Sequence, residues 1–91
     1  MYKHDSHFGR RVEERFLESL DAYGQTARPT GGFLHAVLCN DLREACARAD
    51  EGAQGQLFDI VGYVYNELPS GCWGSPAKVL AWMTMEEEEE A

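Results

Sequence analysis

The sequence predicts an all-α protein, built as a small antiparallel bundle of about four helices. Three observations support this prediction. Apolar residues recur at the spacing of an amphipathic helix in four stretches, the connections between them are short, and no stretch alternates like a strand. A chain of 91 residues, 44% of them hydrophobic, suits one folded domain and has the composition of a globular protein.

Composition also divides the chain into three parts. Residues 1–7 are polar and predicted to be flexible, residues 8–85 carry the apolar stripes and form a single helical domain, and residues 86–91 form an acidic tail. The tail holds five consecutive Glu residues, which repel one another and oppose the helix dipole at a C-terminal end. We therefore expect the last helix to fray there.

The first helix is predicted over residues 8–23, with Ser6 as its cap. One face carries the apolar residues Val12, Phe16, Leu20 and Tyr23. Gly24 is a typical residue at which a helix ends. The connection that follows contains Pro29 and a pair of glycines, and Thr30 is a candidate N-cap for the next helix.

The second helix is predicted as one continuous element over residues 33–49. Its core stripe consists of Leu34, Val37, Leu38, Leu42, Ala45 and Ala49. Asp41 falls close to this stripe, where burial of a carboxylate is unfavourable. We therefore expect Asp41 to lie at the solvent-exposed edge of the stripe or to pair with a cation. Residues 50–56 contain Gly52 and Gly55 and are predicted to be a flexible link.

The third helix is predicted over residues 57–68 and is expected to be the central wall of the core. Its stripe runs for three turns through Leu57, Ile60, Val61, Val64, Tyr65 and Leu68. Pro69 ends it, and Trp73 in the turn that follows is expected to close one end of the core. Ser75 as N-cap and Pro76 as first residue begin the fourth helix. Its apolar side chains are Val79, Leu80, Trp82 and Met83.

The charge balance and the cysteines exclude several classes of function. The formal net charge is −8, five units of which come from the tail, so direct binding to nucleic acid is not expected. Three cysteines without a paired spacing indicate a reduced, cytosolic protein. The sequence shows no signal peptide and no apolar run near the ~18 residues of a membrane span, so neither secretion nor membrane insertion is predicted.

A metal site is the sharpest chemical alternative, because His35 and Cys39 lie one helical turn apart and Cys46 falls near the same line. Cys72 would be a fourth ligand. No paired Cys-x-x-Cys or His-x-x-x-His supports this set, and small buried cysteines beside a core stripe are more common. We therefore predict no metal and no cofactor. Cys–His catalysis would need an orienting group and a cleft that a short bundle rarely offers, so no enzyme activity is predicted.

The acidic residues give the leading functional clue. Glu14, Glu18 and Asp21 lie on one helical line, about 5–6 Å apart per step, which is comparable to the spacing of phosphates along a DNA strand. Such a line can compete with DNA for a channel lined by Lys and Arg. The predicted partner-binding residues are Glu13, Glu14, Glu18, Asp21, Asp59 and Glu67, with the tail as an extension. The competing interpretation is an ordinary solvated helix face.

Blocks of this sequence resemble a pattern in small proteins of phage and prophage genomes, over about residues 28–82. The main blocks are TGGFL (30–34), AVL (36–38), NDL (40–42), YNELP (65–69) and CWGSP (72–76). The resemblance implies an accessory phage protein that works in a bacterial cytosol, and it implies no catalytic residues. Small acidic phage proteins of this kind often resemble inhibitors of host defence, such as anti-CRISPR proteins, several of which mimic DNA.

Two functional hypotheses follow. The leading one is a non-enzymatic anti-CRISPR protein that acts as an acidic DNA mimic, binds the basic DNA-binding surface of a host effector complex, and blocks its access to DNA. The alternative is an adaptor or homodimeric interaction module that docks through an apolar patch around Trp73 and Tyr63. The first predicts salt-sensitive binding, and the second predicts salt-tolerant binding that is lost on Trp73→Ala. Both are compatible with a monomer or a homodimer.

Overall fold

The computed structural model of the protein describes residues 9–90, and it describes side chains for residues 9–84. Within residues 9–90 a 3₁₀ turn comes first, five α-helices follow, and a second 3₁₀ turn precedes the last of them. The elements are the turn Gly9–Arg11, α1 (Glu14–Thr26), α2 (Gly32–Leu38), α3 (Leu42–Arg48), α4 (Glu51–Glu67), the turn Ser70–Cys72 and α5 (Pro76–Glu90). No strand occurs in this part of the chain, so the all-α prediction is confirmed. The predictions for residues 1–7, including the Ser6 cap, fall outside the described residues.

The first helix begins later and ends later than the sequence predicts. A 3₁₀ turn and a bend precede α1. The prediction that Gly24 ends the helix is wrong, because Gly24 is buried inside α1 and the left-handed residue after the helix is Ala27, with φ of 60°. The Ala27 N–H donates to the Tyr23 carbonyl and closes the last turn. The predicted apolar face is confirmed, since all four of its residues are buried: Val12, Phe16, Leu20 and Tyr23.

The predicted second helix is in fact two helices, so residues 9–90 form five α-helices where about four were expected. Asn40 adopts a left-handed conformation with φ of 63°, which interrupts the helix. Asp41 then caps α3 by accepting the Glu44 N–H at 3.2 Å, which explains a carboxylate close to an apolar stripe. The break also turns Leu42 outward, so its predicted place in the core is wrong: it is 65% exposed.

The two predicted N-caps have different outcomes. Gly31, and not Thr30, occupies the N-cap position of α2, and the Thr30 hydroxyl donates instead to the Gly31 carbonyl at 3.2 Å. Ser75 is confirmed as a cap, because its Oγ accepts the Lys78 N–H at 3.2 Å and α5 begins at Pro76. A side-chain acceptor at the N-cap satisfies a backbone donor that the helix itself leaves without a partner.

Residues 50–56 are part of α4, so the prediction of a flexible link is wrong. Asp50 is the N-cap, and its Oδ1 accepts the Ala53 N–H at 2.8 Å. This cap favours a helical start in spite of the two glycines in the segment. The end of the helix is as predicted, with Leu68 as C-cap immediately before Pro69.

The buried face of α4 is rotated from the predicted one. Three residues of the predicted stripe are buried, namely Ile60, Val64 and Leu68. Tyr63, which the sequence places off the stripe, is fully buried and donates its hydroxyl to Asp21 at 2.8 Å. With Tyr63 turned inward, Val61 and Tyr65 face outward and are 45% and 69% exposed, so their predicted place in the core is wrong.

Buried hydrogen bonds tie the end of α1 to the turns around it. The Tyr23 hydroxyl donates to the Cys72 carbonyl at 2.6 Å, and the Trp82 Nε1–H donates to the Tyr23 carbonyl at 2.8 Å. Burial raises the pKa of the Tyr23 hydroxyl, which therefore stays a donor over the physiological range. The Gly74 N–H donates to the Leu38 carbonyl at 2.8 Å and connects the turn before α5 to the end of α2.

Hydrogen bonds connect α1 and the residue before it to α4. The Glu13 N–H donates to Gln56 Oε1 at 2.6 Å, and two turns further on Asp21 meets Tyr63. The antiparallel order of neighbouring helices stays a prediction.

Candidate functional site

At the start of α1, two of the acidic residues form ion pairs with one arginine. Glu13 Oε2 lies 2.7 Å from Arg15 Nε, and both oxygens of Asp50 lie 3.2 Å from the Arg15 terminal nitrogens. The Arg15 guanidinium also lies over the Phe16 ring, 4.2 Å from its centroid. The hydrogen bond from Arg15 lowers the pKa of Glu13, and the Ala53 N–H followed by Arg15 lowers the pKa of Asp50. This cluster clamps α1 to the start of α4, and its cation offsets part of the negative charge.

Three other predicted contact residues lie in partly buried places. Asp59 is only 16% exposed at its side chain, and its Oδ1 lies 4.0 Å from Arg11 Nη1. Asp21 is half-buried and accepts the Tyr63 hydroxyl. Glu67 is half-buried at the last residue of α4. These carboxylates therefore present less charge to a partner than their positions in the sequence suggest.

Glu13, Glu14 and Glu18 are the exposed residues among the predicted contact residues, and Glu14 and Glu18 are the two of these that lie outside the ion pairs with arginine. These two residues lie one helical turn apart on α1. The ion pairs among the described side chains involve other acids, namely Asp59, Glu13, Asp50 and Glu44. Residues 9–84 carry ten Asp and Glu against seven Lys and Arg, so most of the excess acid of the chain lies in the Glu tail, whose side chains are outside the described part. Within the described residues the acidic surface is thus narrower than predicted.

The His35 and Cys39 pair lies beside a cleft of about 330 Å³, which is lined also by Asp41, Glu44 and Arg48. His35 Nε2 is 3.5 Å from Cys39 Sγ. Burial raises the pKa of the Cys39 thiol, and the charge of Asp41 raises it further, so the thiol is protonated at neutral pH. The Arg48 guanidinium is already engaged by the Glu44 carboxylate. The pair therefore lacks an activated sulfur.

The structure does not gather the four residues of the metal alternative. The break in the second predicted helix places Cys46 on α3, where it is exposed, and Cys72 is buried in the second 3₁₀ turn. Across the described residues, no group of three or more His, Cys, Asp or Glu side chains is placed to hold a metal ion.

An apolar surface that the sequence assigns to the core is open to solvent instead. We define the outer face of α4 by Gly55, Phe58, Val61, Gly62 and Tyr65. Phe58 is 78% exposed and Tyr65 is 69% exposed. The Tyr65 ring contacts the Trp73 ring with 5.7 Å between centroids and 55° between planes, so the face continues onto the turn before α5. Trp73 is partly buried against the core, as predicted for a residue at its end.

A shallow cleft of about 150 Å³ borders this face. It is lined by Val37, Asn40, Asp41, Leu42, Ala45, Leu57 and Val61. Sequence reasoning missed Phe58 and Leu42 as surface residues, because an apolar residue near a helical stripe is normally assigned to the core. A second pattern in the sequence marks the surface: Gly55, Phe58, Gly62 and Tyr65 follow a three-four-three spacing of their own.

Comparisons with protein-family models, with curated proteins and with solved structures return no match for this chain. Within residues 9–90, none of the helices has the length and apolar character needed to cross a membrane.

Proposed function

We propose that the protein is a non-enzymatic interaction module that docks through the outer face of α4 and the adjoining Trp73. The observation that supports this function is the exposure of Phe58, Val61 and Tyr65 on one side of one helix, next to a second aromatic ring. Single exposed apolar residues are ordinary, whereas a contiguous group of them is typical of a surface that another protein covers.

The residue types of this face suit a docking surface. Tyr and Trp give large, rigid contact areas, and such residues dominate the binding energy of many interfaces. Covering apolar surface is worth roughly 25 cal/mol per Å², and this term does not weaken with salt. Binding through this face is therefore expected to tolerate high ionic strength.

The test is association of purified protein, with itself or with captured partners, at low and high salt. We expect association to persist at high salt and to be lost in Tyr65→Lys, because a cation would be desolvated against an apolar surface. Gln25→Lys is the matched control, since it adds the same charge at an exposed position of α1. Equal association of both variants would show that binding does not use this face.

The second candidate function is the anti-CRISPR one, in which the protein is an acidic DNA mimic in the host bacterial cytosol. Exposed Glu14 and Glu18 support it, together with the Glu tail and the resemblance to phage proteins. Its target would be the basic DNA-binding surface of a defence complex. The arginines paired with Glu13 and Asp59 limit the breadth of such a surface.

Mimicry is tested by competition between this protein and DNA for CRISPR effector complexes. Reversal of both charges in Glu14→Lys/Glu18→Lys is expected to weaken inhibition strongly, whereas Arg15→Gln is expected to strengthen it by removing the cation between two acids. Inhibition that is the same in all three proteins would rule out mimicry by α1.

A further inference from the structure

Two helices of equal length, α2 and α3, are attached to the core in different ways. Each has seven residues. The helix α2 contributes Leu34 and Leu38 to the core cluster, which is the set of buried side chains that contact one another. In residues 9–84 this cluster also has members on α1, α4 and α5, but it has none on α3. The single buried residue of α3, Ala45, lies outside the cluster, so α3 has no anchor in the core.

The polar interactions of α3 lie at the surface. Its N-cap, Asp41, accepts the Glu44 N–H, and Glu44 forms an exposed ion pair with Arg48. The Arg48 side chain lies against the first residue of α2, since a Cβ added at Gly32 would come within 2.8 Å of Arg48 Nη1. Exposed ion pairs contribute little to stability, and a helix shorter than about 12 residues is marginal in water without tertiary packing.

Both ends of α3 separate it from the neighbouring helices. Asn40 before it is left-handed, and Ala49 after it is extended. The chain is fixed on each side, because Cys39 belongs to the core cluster and Ala49 packs against it. The next helix, α4, has a cap of its own in Asp50. Unfolding of α3 therefore need not spread into α2 or α4.

We propose that α3 unfolds and refolds locally while the rest of the fold stays intact, and that it is the movable wall of the two clefts beside it. Glu44 and Arg48 of α3 line the cleft of about 330 Å³, and Leu42 and Ala45 of α3 line the cleft of about 150 Å³. Residues of α2 line both clefts as well, so unfolding of α3 connects them along α2. This inference goes beyond the proposed function, because it concerns the free protein.

Two backbone amides give a matched comparison of α3 with α2. The Ala45 N–H donates to the Asp41 carbonyl, and the Cys39 N–H donates to the His35 carbonyl, both at 2.9 Å. Ala45 is the more deeply buried residue, with 1% exposed against 8% for Cys39. Burial alone therefore predicts slower hydrogen exchange at Ala45, whereas local unfolding of α3 predicts faster exchange there.

Hydrogen exchange of the full chain, followed by NMR, measures both amides. We expect the protection of Ala45, relative to an unstructured peptide, to be at least about a hundredfold weaker than that of Cys39, because the Cys39 amide opens only with the core. Low concentrations of urea should accelerate exchange at Cys39 and leave Ala45 nearly unchanged, since unfolding of α3 exposes little surface.

The variant Ile60→Ala separates local from global unfolding, because Ile60 belongs to the core cluster, in which α3 has no described member. We expect exchange at Cys39 to become at least about thirtyfold faster and exchange at Ala45 to stay the same. Ile60→Val is the milder variant should Ile60→Ala not fold, with an acceleration of about two- to tenfold at Cys39 alone.

Three results would overturn the inference. The first is protection at Ala45 equal to or greater than that at Cys39. The second is equal acceleration of both amides by urea, and the third is equal acceleration of both in the Ile60 variants. Each of them would mean that α3 opens only together with the core.

Discussion

The start of α1 and the outer face of α4 differ in a way that reverses what their sequences suggest. The start of α1 is rich in acids, yet Arg15 pairs with both Glu13 and Asp50 at the surface, and its positive charge offsets part of their negative charge. The outer face of α4 is rich in apolar residues, yet Phe58 and Tyr65 are mostly exposed. A cluster of acidic residues in the sequence therefore does not by itself predict a negatively charged surface. Likewise, an apolar residue on a helix is not necessarily buried.

The largest effect should separate the two sides of α4. Ile60→Ala is expected to lower the free energy of unfolding by about 2–5 kcal/mol, because Ile60 is fully buried and its loss leaves a cavity. Val61→Ala is the neighbouring control on the outer face, and it should change the stability of the monomer by about 0.5 kcal/mol or less. Denaturant unfolding of dilute samples measures the free energy of unfolding of both variants. Equal decreases in the two variants would contradict the observed burial of Ile60 and exposure of Val61.

A smaller effect should distinguish the two tyrosines of α4. Tyr63→Phe removes the hydroxyl that donates to Asp21, and a hydrogen bond to a carboxylate is worth about 1.5–3 kcal/mol. Tyr65→Phe removes a hydroxyl that is exposed with the rest of its ring, so thermal unfolding of the dilute protein should be nearly unchanged. A similar fall in melting temperature for both variants would mean that Tyr63 is not the inward-facing residue.

The smallest effect concerns acid pH. The pKa values of Glu13 and Asp50 are lowered in the folded protein from ordinary values near 4.5 and 3.8. A lowered folded-state pKa contributes stability above the unfolded pKa, and this stability is lost as the pH falls through the folded-state pKa. We expect the melting temperature of the wild type to fall below about pH 4.5 and the fall to be shallower in Arg15→Gln. If the melting temperatures of the wild type and Arg15→Gln fell in parallel with pH, the ion pairs of Arg15 with Glu13 and Asp50 would not account for the loss of stability in acid.

Some of this structure could be predicted from the sequence because local rules decided it. The apolar face of α1, the Ser75 cap and the end of α4 at Pro69 follow from helical periodicity and from capping preferences. The break at Asn40 could not be predicted from periodicity, because the stripe continues across it. An Asn–Asp pair inside an apolar run is the local signal, since both residues compete with the helix for backbone hydrogen bonds.

The rotation of α4 about its own axis, which decides the face that is buried, depends on tertiary contacts. No local sequence pattern shows these contacts. Val61 and Tyr65 fit the stripe as well as Ile60 and Val64 do, and the rotation is set by Tyr63, whose hydroxyl reaches Asp21 on α1. The functional prediction was limited in the same way, because a count of carboxylates does not show which of them an arginine will engage.

The salt dependence of association in the wild type tests the central claim most directly, which is that the protein binds through the outer face of α4. We predict association that persists from low to high salt and that disappears in Tyr65→Lys. Association that is abolished by salt and that survives Tyr65→Lys would contradict this account and would favour the acidic surface of α1.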